Sequence, residues 1–293
     1  MSALTERLAS GGIDLHIGPY VYRIRSNVAA ISQGLARLYA DFTMAPNGSF
    51  VDFDVGLRQD TIAQKLRSQA QFLFDQQSPF DTVPVQQAYA FLEWGMNWCV
   101  SLHVNEYLKL HAAVVARKGA GIIMPGIPGA GKSTLCAALG LSGWRVLSDE
   151  HALITPGTID LTPLSRPVSL KNESIQAIQA FNSGVILGPE SRNTHKGTVA
   201  HMKADMAPHS HDINTVPAAL MVFPRYSRDE PQELYHRYRS ASFVLAAYHS
   251  FNYSVLGEDG FDAMQHLVSQ VECFDLVYHD LDWAVAKMEE LVG

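Results

Sequence analysis

Hydrophobic and polar positions fall into two regimes along this chain, separated by a turn-rich stretch. Before it, IDLHI and YVYRIRS alternate around Gly18-Pro19, a period of two that predicts a β-hairpin. Asn27 stands where it would cap a helix through VAAISQGLARLYADF, and SFVDFDVGL, from Ser49, alternates like a half-buried strand. QSPFDTVPV, rich in turn formers, predicts a linker near residues 77 to 85. After it, QQAYAFLEWGMNWCVSLHVNEY is apolar on most faces, as a long buried helix is. Trp94 and Trp98, four residues apart, share a face there and read as core packing rather than base stacking.

From Leu108 the pattern becomes strand-like. LKLHAAVVA, the short turn RKGAG and the strand GIIMP predict a hairpin that feeds directly into a Gly-rich loop. In doubly wound nucleotide folds that strand is usually a lone parallel one, so a hairpin predicts a mixed sheet. Further on, WRVLSDEHALI reads as a strand ending in acids, VPAALMVFPRY as a buried strand and CFDLVYH as another. ELYHRYRS alternates, SASFVLAAYHSF and GFDAMQHLVSQV read as helices, and Asp280 stands where it would cap a closing helix, LDWAVAKMEELV. Residues 155 to 215 are rich in Pro, Gly, Asn and His, with one short helix near ESIQAIQAF. The expected fold is therefore α/β: a mixed-sheet core over residues 84–293 and a smaller α+β part over 1–83.

The Gly-rich loop carries the chemistry. Gly126-Ile127-Pro128-Gly129-Ala130-Gly131-Lys132-Ser133 satisfies G-x-x-x-x-G-K-[ST] at each fixed position, after a strand and before a helix. The glycines let the backbone turn its N–H groups inward, and the helix adds the positive end of its dipole. Lys132 is expected on the outer phosphates, Ser133 on magnesium and Thr134 on an inner phosphate. ATP with Mg2+ is the simplest ligand.

Sixteen residues lie between Lys132 and Asp149, enough for one helix, a Ser-Gly turn at 142–143 and one strand. Asp149 and Glu150 would then end that strand on opposite faces, one toward the phosphates and one toward magnesium or structure. A phosphotransferase needs a carboxylate to take the acceptor's proton, whereas an ATPase needs one to position metal and water. The pair fits both, and a solvated strand end is the plain alternative.

Composition narrows the partners. Charged residues make up 17% and the net charge is -7, which disfavours coating of nucleic acid. No apolar run is long enough for a membrane span, and MSALTERLASGG lacks the features of a secretion signal. Cys99, Cys136 and Cys273 lie far apart, as core thiols of a cytoplasmic protein would. His209 and His211 form HSH, a possible metal pair that reads more simply as a polar loop.

LHAAVV, PGIPGAGKST and RVLSDEHALI, in this order and spacing, resemble the catalytic domain of HPr kinase/phosphorylase, a serine kinase with a phosphoenolpyruvate-carboxykinase-like P-loop fold. EWGMNWC, SDEHALI, SRPVSLKNESI, THKGTVAHM and FNYSVLGEDGF are similar to the group called HprK-related kinase A. The resemblance runs from about residue 14 to the C-terminus and is most specific from 93 to 202. It implies His111 supporting a catalytic acid, Asp149 as base and Glu150 for magnesium or structure. Where the family has Glu-Ile-Arg-Gly, this chain has SLKN. Lys171 then stands for the cation and Glu173 for the acid, and the reverse activity is in doubt. Arg166, Lys171 and Lys196 are candidate donors to the transferred phosphoryl group, Lys196-Gly197-Thr198 reads as a lid, and Arg225 is a weaker candidate.

The expected activity is ATP-dependent transfer to a serine or similar hydroxyl of a peptide or small protein, with a small peptide-binding chaperone as a conceivable partner. Residues 1–83 would dock that acceptor, and a homo-oligomer is compatible. A small-molecule kinase and a nucleotide-binding regulator without transfer activity are the alternatives. A small-molecule kinase usually closes an Arg-rich lid, yet residues 155–215 hold only Arg166 and Arg192.

Overall fold

The strand Leu108–Arg117 shows how the molecule is layered. Its Ala113 and Val115 lie in one buried cluster with Leu135, Ala138 and Met288, while Ala112, Val114 and Ala116 lie in another with Met264, Leu267 and Val268. Side chains alternate along a strand, so a run that is apolar at both parities is covered on both faces. The computed structural model describes residues 2–204 and 214–293. His209 and His211 lie outside the described residues.

The chain begins with α1 (Ser2–Ser10), β1 (Ile13–Ile17), β2 (Tyr20–Ser26), α2 (Ala29–Leu38), β3 (Phe53–Arg58), α3 (Ile62–Leu66), β4 (Gln69–Phe74) and β5 (Val83–Pro84). A 3-10 turn, Val85–Gln87, leads into α4 (Ala88–His103). The strands form a sheet in the order β1-β2-β3-β4-β5, with β2–β3 parallel and the β1–β2 hairpin antiparallel, as expected. Ile31 and Leu35 of α2 and Leu92, Met96 and Cys99 of α4 share one core with Ile24, Val55 and Phe72 of the sheet. Asn27 does not cap α2. The cap position is Val28, and the Asn27 amide accepts from Gln59 N at 2.8 Å and donates to Gln59 O at 3.1 Å. Tying two strand ends together satisfies that amide as well as a helix terminus would. The alternating stretch from Ser49 becomes strand only at Phe53.

The second part runs β6 (Leu108–Arg117), β7 (Ala120–Pro125), α5 (Lys132–Leu141), β8 (Arg145–Ser148), β9 (His151–Ile154), β10 (Asp160–Thr162) and β11 (Val168–Lys171). It continues with α6 (Glu173–Phe181), β12 (Ser191–Thr194), β13 (Gly197–Met202), β14 (Val216–Tyr226), β15 (Glu233–His236) and α7 (Arg239–Tyr248). It ends with α8 (Tyr253–Leu256), α9 (Glu258–Gln270), β16 (Glu272–Tyr278) and α10 (Leu281–Leu291). The predicted hairpin is present: β6 and β7 pair antiparallel, and Lys118 and Gly119 both take positive φ between them. Two such residues in succession match the twist of a tight hairpin.

The main sheet has the order β10-β9-β6-β7-β14-β16-β15, with β8 also on β6. β7–β14 and β14–β16 are parallel and β6–β7 and β15–β16 antiparallel, so the sheet is mixed. α5 and α10 cover one face, α7 and α9 the other. Asp280 caps α10 as expected, its carboxylate accepting from Trp283 N at 2.7 Å. The stretch read as mostly loop holds more structure: β11, β13 and β12 form a small third sheet. No described helix is long and apolar enough to cross a membrane.

Candidate functional site

β7 ends at Pro125 and α5 begins at Lys132, so the Gly-rich segment bridges a central strand and a helix N-terminus. Gly131 has φ 93, and a Cβ there would stand 2.3 Å from the Tyr278 hydroxyl. That hydroxyl donates to Gly131 O at 2.9 Å, and Tyr226 N donates to Ala130 O at 3.0 Å, so the ends of β14 and β16 hold the loop. Ala130 N is used within the loop, donating to Ile127 O at 3.2 Å. The Lys132 ammonium turns onto Gly126 O (2.5 Å) and Ile127 O (3.1 Å). Burial lowers its pKa to about 8, against the nearby charge of Glu150.

The acids come from an interruption rather than a strand end. β6 pairs with β9 at His111↔His151 and with β8 at Val114↔Ser148, three residues on along β6 and three residues back on the other strand, so the ladder keeps step across the gap. Asp149 and Glu150 occupy that gap, where Ser148 Oγ accepts from His151 N at 2.9 Å. Strand alternation would send the two acids to opposite faces, yet both line the same cavity beside Lys132 and Ser133.

Their surroundings still divide them. Asp149 accepts from Ser169 N at 2.8 Å. Its burial, and then the charge of Glu150, raise its pKa far above the ordinary carboxylate range. Burial would raise Glu150 too, but the hydrogen bond to His111 and the charge of Lys171 outweigh it and hold that carboxyl down. His111 Nε2 stands 3.1 Å from Glu150 Oε2, so the histidine expected opposite Asp149 partners its neighbour instead. β6 pairing in register puts Ala112 N on Glu150 O at 3.3 Å, which leaves His111 one step away from that residue.

Of the four candidate cations, two reach this cavity. Lys171 ends β11 and Lys196 sits in the β12–β13 turn, and both line the cavity with the acids. Asn172 clips them together: its Nδ2 donates to Lys196 O at 3.1 Å and its Oδ1 accepts from Thr198 N at 3.0 Å. Burial, and then the charge of Lys171, lower the pKa of Lys196. Arg166 lines the adjoining cavity, which shares both acids, but it is already engaged. It is 4% exposed, and its guanidinium bonds Glu93 at 2.6 Å and Asn97 at 3.0 Å, an internal pair that leaves it no freedom to follow a phosphate. Arg225 pairs with Glu230, and Glu173 faces Arg228 at 3.4 Å, away from the acids.

Three cavities meet here. The phosphate-loop cavity holds His111, Lys132, Ser133, Thr134, both acids and both lysines. A second shares the acids, Ser169, Lys171 and Lys196, and is walled by α4. A third adjoins the loop at Gly129, Gly131 and Thr134 and is lined by Phe181, Tyr226 and Tyr278. Sequence reasoning missed Ser169, Asn172, Ser174 and Tyr278. Only Asn172 had a local signal, since Asn tolerates unusual backbone and its φ is 52.

The family described as SynChlorMet cassette protein ScmC matches residues 92–161, a span from α4 through the loop and both acids to β10. No curated protein matches the chain. Among solved structures, the HPr(Ser) kinase/phosphatase from Coxiella burnetii is 13% identical over 63% of this chain and 93% of its own. Its TM-score is 0.29, and the similarity carries no argument about the site. The fold itself is mixed α/β with mixed sheets.

Proposed function

We propose that this chain is an ATP-dependent phosphotransferase, a kinase acting on a serine or similar hydroxyl of a peptide or small protein. One observation carries the reading: Lys132, Ser133 and Thr134 at a helix N-terminus share a cavity with two carboxylates of opposite pKa shift and two lysines. Lys132 would leave the loop carbonyls for the outer phosphates, which offer it a full opposing charge. Asp149, raised by burial, suits a general base near neutral pH. The acceptor oxygen bonds to the γ-phosphorus, the bond from that phosphorus to the ADP oxygen breaks, and the acceptor proton passes to Asp149. Lys171 and Lys196 would stabilise the charge that spreads over the transferred group.

The Ser133 hydroxyl and the ionised Glu150 carboxylate are hard oxygen donors on one cavity, a set that fits Mg2+. Bound there, the ion would neutralise phosphate charge. The motif order that resembles HPr-kinase-related proteins, HprK-related kinase A in particular, supports the hydroxyl acceptor. We assign residues 84–293 as the catalytic part and 1–83 as the part that helps dock the acceptor, with a small peptide-binding chaperone as a candidate partner.

Incubation with γ-labelled ATP and a co-expressed peptide should place label on a peptide hydroxyl. Label on a metabolite instead would favour a small-molecule kinase, and nucleotide binding without turnover would leave a regulator. Lys132→Ala should abolish nucleotide affinity, read by calorimetry; unchanged binding would remove the loop from the reading.

A further inference from the structure

The second cavity leads from the acids away from the phosphate loop. Gln87, Ala90, Trp94 and Asn97, at spacings of three, four and three, form its long wall, with Phe91 beside them. At 1.5 Å per residue this helical stripe is about 15 Å long. Its middle is aromatic. Phe91 and Trp94 are half-buried with ring centroids 5.1 Å apart, and Phe80 backs Trp94 at 4.9 Å, so the surface is stiff. Its ends are amides. Gln87 Nε2 donates to Asn193 O at 2.7 Å, and Asn97 Oδ1 accepts from Arg166 at 3.0 Å. Among the described residues this leaves Gln87 an amide oxygen and Asn97 an amide nitrogen for a ligand. The β12–β13 turn, with Thr194, His195 and Lys196, closes the other side.

This pattern discriminates among acceptors. A sugar alcohol carries a hydroxyl on every carbon, and burying these against Ala90, Phe91 and Trp94 would leave them unpaired. An extended peptide puts about 3.3 Å into each residue, so about four or five residues span the stripe. Its main chain can meet the terminal amides while one side chain covers the rings. The cavity is about 70 Å³, room for about two waters or a single side chain rather than the whole segment.

We propose that this cavity is the acceptor subsite, and that it takes an extended peptide segment with a bulky apolar side chain against Phe91 and Trp94 and a neighbouring hydroxyl at Asp149. The proposal rests on the phosphoryl-transfer reading but is tested without transfer. The full chain is labelled with 5-fluorotryptophan, and its four tryptophans are assigned with Trp94→Phe. It is then titrated, in the presence of a non-hydrolysable ATP analogue, with capped five-residue peptides carrying a central serine and either phenylalanine or glycine on both flanks.

The phenylalanine peptide should shift the Trp94 resonance but not that of buried Trp144, and should bind about 10-fold tighter than the glycine peptide, roughly the worth of one aromatic contact. Trp94→Ala should abolish that preference while the analogue's Kd is unchanged. Equal affinity for the two peptides, an unmoved Trp94 resonance, or a sugar alcohol binding as tightly as the phenylalanine peptide would each overturn the subsite. If the peptide binds as expected but never accepts label from ATP, peptide binding at this cavity stands, and its role as acceptor fails with the kinase reading.

Discussion

At the scale of single residues, the site separates two acids that look alike in sequence. Asp149 is buried with one backbone donor, and Glu150 is paired with His111. Asp149→Asn should keep ATP bound and lower transfer by at least ~100-fold, the usual worth of a positioned base; a near-wild-type rate in a steady-state assay would move the base elsewhere. Because the raised group works deprotonated, the wild-type rate should climb with pH through a midpoint well above the ~3.9 of a free aspartate. Glu150, held low, should add no inflection there. Lys132, Ser133 and Thr134 were legible because their chemistry depends on local spacing. The pairs His111–Glu150 and Arg166–Glu93 were not, because their partners lie 39 and 73 residues apart and meet only through tertiary structure. Arg166 read as a candidate phosphoryl donor for that reason.

At the scale of elements, periodicity was a good guide wherever a segment had a clear inside and outside. The β6–β7 hairpin, α4, α9 and α10 all follow their apolar patterns. It failed for SRNT and VSLK, which are too short and too polar to show a period, yet pair with β13 as β12 and β11. It also did not foresee the bend at Asp149 and Glu150 that divides β8 from β9, with no Gly or Pro to announce it.

The small sheet matters because Asn172 joins β11 to β13 and carries Lys171 and Lys196 with it. Asn172 sits at φ 52 and ψ -123, backbone that few side chains tolerate. Asn172→Ala should cost about 2 kcal/mol in urea unfolding, from two lost hydrogen bonds, with some strain retained. Asn172→Gly should lose the same bonds but relieve the strain, and so be the more stable of the two. Both should raise KM for ATP, since neither holds the two lysines together.

At the scale of the whole molecule, three buried groups contribute to the response to acid through pKa shifts. Burial holds folded His151 at about 3 and His201 at about 4, below the ~6.5 of an unfolded histidine. Stability from these two is full above the unfolded value and is lost as pH falls. Asp149 acts the other way: its raised folded pKa stabilises in acid and the benefit is lost as pH rises through it. Between about pH 6 and 4.5 the unfolded chain therefore gains two protons against one, and these groups should lower stability by about 1.4 kcal/mol per pH unit. In Asp149→Asn the opposing proton is gone, so the slope should roughly double. Urea midpoints at a series of pH values check both.

Glu93 ties the first core to the second part. It accepts from Tyr39, Tyr89 and Arg166, all buried. Glu93→Ala would strand the arginine's charge and should cost about 3–5 kcal/mol, measured by urea unfolding. This knot has an evolutionary corollary. Recombination that grafted an unrelated module in place of the first eighty or so residues would delete Tyr39 and bare the helix that carries the glutamate. Descendants of this architecture should therefore diversify their recognition by point changes along that helix, and inherit the two halves together.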